Sequence, residues 1–156
     1  GEGLAARRNS LIENGVLRQF THNSYSARRA GTVSTGNAVR GGFSGTPGVG
    51  ALALSLVPGR RSQEELIADI DDGLLVQSVT GIHSGVNPIS GDFSTGAAGL
   101  LISNGQVGAP VREFTIASTL QRMLLDIAEV GGDVDWLPMH AAGVSLVIHD
   151  ITMSGA

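Results

Sequence analysis

The chain has 156 residues, enough for one domain that buries about two-thirds of the surface its unfolded form would expose. Its 42% hydrophobic and 15% charged residues exclude a disordered segment, and a formal net charge of -4 offers no electrostatic footprint for nucleic acid. The absence of cysteine excludes a disulfide framework, a thiolate nucleophile and a sulfur metal ligand.

With so few charges and 23 glycines, part of the apolar surface is expected to lie against a partner or a neighbouring domain. Gly1 stands where a complete protein has Met, and no signal-peptide pattern follows, so the chain is expected to begin within a longer protein. No run approaches the ~18 apolar residues of a membrane span, which sets the expectation of a soluble, cytoplasmic protein. The basic residues fall in pairs, Arg7-Arg8, Arg28-Arg29 and Arg60-Arg61, and read as solvated faces.

In chain order, Glu13-Asn14-Gly15 is a turn leading into a strand over residues 15–20. Residues 30–47 are rich in Gly, Ser, Thr and Asn, a length of loop that is usually functional or ordered by contact with another part of the protein. Residues 49–57 are the clearest strand, with Leu52, Leu54 and Leu56 alternating with Ala51, Ala53 and Ser55 until Pro58-Gly59 ends it. Ser62-Gln63-Glu64-Glu65 is a capping box that opens a helix to about Asp71, with Leu66, Ile67 and Ile70 as its apolar stripe and Gly73 as its stop.

A strand over residues 74–79 comes next. Residues 92–117 form a long hairpin around Asn104-Gly105, the dipeptide that best tolerates a tight turn's positive φ angles. Ser118 or Thr119 caps a second helix running to about Glu129, with Leu120, Met123, Leu124 and Ile127 on one face before Gly131-Gly132. A last strand spans residues 144–151. Together these elements predict an α+β fold, a single domain over residues 1–156. It holds a large, mostly antiparallel β-sheet, open to barrel-like closure, and about two α-helices.

The chemistry is sparse. His22, His83, His140 and His149 show no zinc-peptidase spacing, and a lone histidine in a strand or turn is more often structural. The glycine-rich run from Gly45 to Gly50 lacks the Lys-Ser/Thr of a phosphate loop and reads as a turn. Neither Ser44 nor Ser84 lies in the G-x-S-x-G frame of a hydrolase nucleophile. The densest polar group lies between Thr80 and Phe93, where His83, Ser84, Asn87, Ser90 and Asp92 alternate with Gly81, Gly85, Pro88 and Gly91. Such a loop either presents hydrogen-bonding groups to an extended peptide or uses them internally in a packed turn.

Three blocks then resemble the TldD/PmbA family, also known as modulators of DNA gyrase: residues 15–41 (GVLRQFTHNSYSARRAGTVSTGNAVRG), residues 80–105 (TGIHSGVNPISGDFSTGAAGLLISNG) and residues 112–127 (REFTIASTLQRMLLDI). They keep the family's order over most of the chain. The resemblance implies the C-terminal domain of a two-domain protein that works with a sister subunit as a zinc metallopeptidase on peptides or partly unfolded chains. In the family's active subunit an H-E-x-x-x-H helix supplies two zinc ligands and a cysteine supplies the third. Where that cysteine would fall, residues 137–143 read LPMHAAG.

The resemblance therefore implies a PmbA/TldE-like subunit without catalytic or metal-binding residues of its own, the zinc being held by the sister subunit. Partners would be a TldD-like subunit or a second copy, with no nucleic acid and no membrane. His83, Ser84, Asn87 and Asp92 are the candidate residues for positioning substrate. Two alternatives stand beside this reading: a catalytically active TldD-like peptidase with His140 as third ligand, and a purely structural module without substrate contact.

Overall fold

The structure is a computed structural model that describes residues 2–138 and 141–155. Its contacts divide the chain into two compact units, Gly1–Leu56 and Val57–Ala156.

The first unit has little regular structure. The Asn14-Gly15 turn, with φ of 51° and 74°, joins β1 (Ile12–Glu13) to β2 (Val16–Leu17), so the predicted strand over residues 15–20 shrinks to one arm of a tight hairpin. Helix α1 (Ser24–Arg29) lies just ahead of the long polar stretch. Asn23 caps it: its side chain accepts from the Ser26 amide at 2.8 Å while Ser26 Oγ accepts from the Asn23 amide at 3.1 Å. Strands β3 (Ala38–Val39) and β4 (Gly48–Val49) pair antiparallel, so the second half of the predicted loop over residues 30–47 is closed off as residues 40–47.

The leucine segment that follows is not a strand in this structure. Of the predicted 49–57 element only Val49 is paired, as the last residue of β4. Residues 51–57 are all exposed, and among the described residues no backbone hydrogen bond reaches them. Alternation specifies which face each side chain takes, but a strand also needs a neighbour to bond its backbone, and none pairs with it among the described residues.

The second unit is built on an antiparallel sheet in the order β12 (Thr152–Ser154), β7 (Gln106–Thr119), β6 (Asp92–Ser103) and β5 (Asp72–Thr80). It opens with α2 (Gln63–Ile67), where Ser62 and Glu65 close the predicted capping box. Leu66 and Ile67 are buried as the stripe requires. β5 (Asp72–Thr80) leads through α3 (Ile82–Gly85) to β6 (Asp92–Ser103), which turns at Asn104-Gly105 into β7 (Gln106–Thr119). Asn104 and Gly105 take φ of 49° and 74°, the pair of positive angles that the hairpin turn demands. The tip then docks on the end of α2: the Asn104 amide donates to Asp71 O at 2.7 Å and the Gly105 amide to Ile70 O at 2.9 Å.

A bulge interrupts the ladder between Ala97↔Phe114 and Gly99↔Val111, where Glu113 sits at φ 63°. Phe114, 1% exposed, fills the core with Ala97 and Ile116, backed by Leu74, Phe93, Val111 and Ile151.

Thr119 caps α4 (Leu120–Leu125) by accepting from the Arg122 amide. The helix stops well short of Glu129, because residues 127–130 become β8 (Ile127–Val130) and pair with β11 (Leu146–Ile148). Of the predicted final strand over residues 144–151 only β11 forms, and it serves β8; β12 (Thr152–Ser154) begins just beyond it and pairs with β7 across residues 115–117. Between β8 and β11 in the chain, β9 (Asp135–Leu137) and β10 (Ala141–Gly143) pair antiparallel.

The α+β class and the antiparallel sheet hold. Two expectations change: there are four short helices among the described residues instead of about two, and the described sheets do not close into a barrel. No helix among the described residues is long and apolar enough to cross a membrane.

The surface also departs from expectation. The chain exposes 11135 Å², whereas a compact monomer of 16.0 kDa exposes about 7,400 Å². It therefore buries about half of its unfolded surface instead of two-thirds.

Candidate functional site

The polar segment linking β5 to β6 folds as one turn of helix followed by a tight polar turn. Gly81 enters α3, and both the Gly85 amide (2.8 Å) and the Ser84 hydroxyl (3.1 Å) donate to its carbonyl. Gly85 is needed for packing: a Cβ there would stand 2.0 Å from the Ser94 carbonyl oxygen, so only glycine lets α3 lie against β6. Val86 then bridges to Phe93, which sets the register of the turn.

Asn87 organises that turn. Its amide donates to Asp92 O at 2.9 Å, its Oδ1 accepts from the Ile89 amide at 2.9 Å and the Ser90 amide at 3.3 Å, and its carbonyl accepts from Gly91 at 2.8 Å. This is an Asx turn around Pro88. Ser90 Oγ donates to Asp92 Oδ2 at 2.6 Å. The start of α4 holds the turn from its other side, as the Leu120 amide donates to Gly91 O at 2.7 Å and Gln121 Nε2 to Ser90 O at 3.1 Å.

The structure thus brings Asn87 and Asp92 together within one turn and places His83 and Ser84 on the preceding helix. Asn87, Asp92 and Ser84 spend hydrogen bonds on the loop's own shape. His83 is exposed and makes no side-chain hydrogen bond among the described residues. The turn also displays Ile89, 95% exposed. Beside it runs β5, whose outer edge has no paired strand among the described residues and whose residues 76–80 are all exposed. An unpaired edge leading into a rigid polar loop is the geometry that accepts an extended peptide as an added strand.

Sequence reasoning missed two further arrangements. In the second unit an open cleft of about 560 Å³ is lined by Leu66, Ile70, Gln77, Asp133, Ser145 and Leu146, among others. Gln63 Nε2 donates to Ser145 Oγ at 2.7 Å, and Ser145 Oγ donates to Asp133 Oδ2 at 2.5 Å. The Ser145 hydroxyl holds the Asp133 carboxyl below its ordinary range. Nearby, Arg61 pairs with Asp69 at 2.6 Å and Glu129 at 2.9 Å, and also donates to the Glu65 carbonyl. Asp133 is thus tied to a hydroxyl donor, and Asp69 and Glu129 to one guanidinium.

In the first unit, Thr35 and Asn37 replace a hydrophobic core. The Thr35 hydroxyl stands 3.0 Å from His22 O and 2.7 Å from Asn37 Oδ1, and accepts from the His22 amide at 2.7 Å. Asn9 Nδ2 donates to Thr35 O at 2.9 Å, and Asn37 Nδ2 donates to Gly50 O at 3.0 Å. The only signal for this in the sequence is the excess of Asn, Ser and Thr between residues 21 and 37. The run from Gly45 to Gly50 begins at a turn, with the Gly45 amide donating to Gly42 O at 3.2 Å, and includes β4 itself; the leucine strand it was expected to enter does not form.

Among the described residues no group of three or more His, Asp or Glu is placed to hold a metal ion. These residues do not fit zinc. His140 lies outside the described residues. His149 lies on the surface after β11, where its amide donates to Asp126 O at 3.0 Å.

Comparison with known proteins gives this geometry a context. Residues 1–155 match the family described as the PmbA/TldA metallopeptidase C-terminal domain. The chain is 38% identical over 135 residues to the metalloprotease PmbA of Escherichia coli O157:H7, covering 86% of this chain and 27% of that protein. Among solved structures, a proposed modulator of a DNA gyrase from Thermotoga maritima aligns with TM-score 0.83 and 35% identity, over 97% of this chain and 34% of that one. TldE from Thermococcus kodakarensis aligns with TM-score 0.78 and 33% identity, over 94% and 33%. The chain therefore spans about a third or less of these relatives. The chain belongs to the PmbA/TldA metallopeptidase C-terminal domain family.

Proposed function

We propose that this chain is the C-terminal domain of a PmbA/TldE-like subunit in a cytoplasmic zinc metallopeptidase assembly that processes peptides or unfolded chains. In this reading a TldD-like sister subunit holds the zinc, and this domain contributes substrate-cavity and subunit-interface structure. The observation that carries it is likeness over nearly the whole chain to proteins named PmbA and TldE.

The loop carrying His83, Ser84, Asn87 and Asp92 is the peptide-positioning element. Its internal hydrogen bonds keep it in one shape, so little ordering entropy is lost when a peptide docks. The free edge of β5 supplies backbone donors and acceptors regardless of peptide sequence. His83 is then the side chain left to face the ligand. His83→Ala is expected to raise KM for peptides without lowering stability, whereas Asn87→Ala removes the turn's organiser and is expected both to raise KM and to lower stability.

The deciding measurement is zinc content and peptidase activity of the full-length protein, alone and mixed with its sister subunit. Activity that appears only in the mixture supports the reading. Stoichiometric zinc with activity in the protein alone, lost on His140→Ala, would replace it with a self-sufficient peptidase.

A further inference from the structure

We propose that residues 51–57 form a β-strand in the complete protein, hydrogen-bonded by a strand from the same polypeptide's portion outside this C-terminal domain. The inference does not depend on the metallopeptidase reading; it rests on this segment and on the exposed surface.

The segment has every local property of a strand. Leu52, Leu54 and Leu56 alternate with alanine and serine, Pro58-Gly59 ends the run, and no charged residue occurs between Arg40 and Arg60. In the structure its backbone is unpaired, and Leu52 and Leu54 are each 79% exposed. A flat, uncharged, leucine-bearing run with free backbone groups is an aggregation hazard, and natural proteins cover such runs. A polar loop would not need the alternation, and a packed loop would not leave the leucines in water.

The amount of exposed surface calls for a cover larger than one added strand. Two separate compact bodies of these units' sizes would expose about 8,800 Å². The chain's 11135 Å² exceeds that by about 2,300 Å², roughly three times the ~800 Å² that each partner buries in a standard-size interface. Apolar exposure is also spread over both units, at Phe20, Phe43, Ile89, Leu125 and Trp136. One strand-to-strand contact with a second copy cannot cover so much. The relatives carry at least about two-thirds of their length beyond the part matched here, and a strand on the same polypeptide meets this one at a high effective concentration.

A second copy is the main competitor, because the leucine pattern is symmetric about Leu54. Antiparallel self-pairing would set Leu52 against Leu56 and Ala53 against Ser55.

Hydrogen–deuterium exchange on the full-length protein, followed at single-residue resolution over a hundredfold range of protein concentration, separates the cases. The expected result is alternating amides in residues 51–57 slowed about 100-fold or more, equally at concentrations where the protein is monomeric. Protection that appears only as dimer forms would overturn the proposal in favour of self-pairing. Protection that appears only on adding the sister subunit would assign the strand to the heteromeric interface and overturn it too. Exchange at free-chain rates under all conditions would show a solvated loop.

Discussion

The two units satisfy their backbones by different means. In residues 57–156 the work is done by strand ladders and an apolar core, and the side chains that matter most, Phe114, Ile116 and Ala97, carry no polar atoms. In residues 1–56 the paired strands are two residues long, and three of the buried positions are Asn23, Ala27 and Thr35. There, asparagine and threonine side chains take the place of neighbouring strands, donating to and accepting from main-chain groups far apart in sequence. Such a region has little tolerance for losing one partner, because the group left behind is buried without a hydrogen bond.

Four substitutions test the contrast. The largest effect is expected from Phe114→Ala, which should cost about 3–5 kcal/mol of stability by opening a cavity beneath the sheet. Thermal or denaturant unfolding of the second unit reports it, and a loss below ~1 kcal/mol would mean that the core tolerates collapse there. Next is Asn23→Ala. It removes the cap of α1 and also the bond from Asn23 Nδ2 to Pro47 O at 3.0 Å, so a cost of about 2 kcal/mol is expected. Amide exchange should quicken across residues 20–50 and stay unchanged in β5–β7.

Ser62→Ala removes the same kind of cap from α2, where no second long-range bond hangs on the side chain; about 1 kcal/mol is expected. Equal costs at Asn23 and Ser62 would erase the proposed difference between the units. The smallest effect is in acid. The Ser145 hydroxyl lowers the Asp133 pKa in the folded state, so this bond's stabilisation is complete above the unfolded value of about 3.9 and is lost as pH falls through the folded value. Asp133→Asn should flatten the loss of stability below about pH 4 and leave the pH dependence near neutrality unchanged.

What could be read from the sequence follows the same division. The Ser62 box, the Thr119 cap and the Asn104-Gly105 turn were legible because each is decided by chemistry within four residues. Helix α4 was overextended because Leu120, Met123, Leu124 and Ile127 fit a helical face, yet residues 127–130 gain more as a partner for β11. That competition depends on a strand some twenty residues away. Helix α1 was missed because its box has Ser26 where glutamate or glutamine is the usual signal. In the candidate site, the glycine-rich polar loop was visible. The internal commitment of Asn87 and Asp92 was not, since it depends on the Val86↔Phe93 register.

The docking of the hairpin tip on α2 bears on the order in which the protein assembles. Helix α2 has only five residues, too short to persist alone in water, and the carbonyls of the turn after it are satisfied by the Asn104 and Gly105 amides more than thirty residues later. The turn after it therefore gains these partners only once β6 and β7 have closed on each other. A nascent chain that has emerged only as far as Thr80 would still lack the segment that completes this helix, and the hairpin is expected to be the nucleus on which the second unit condenses.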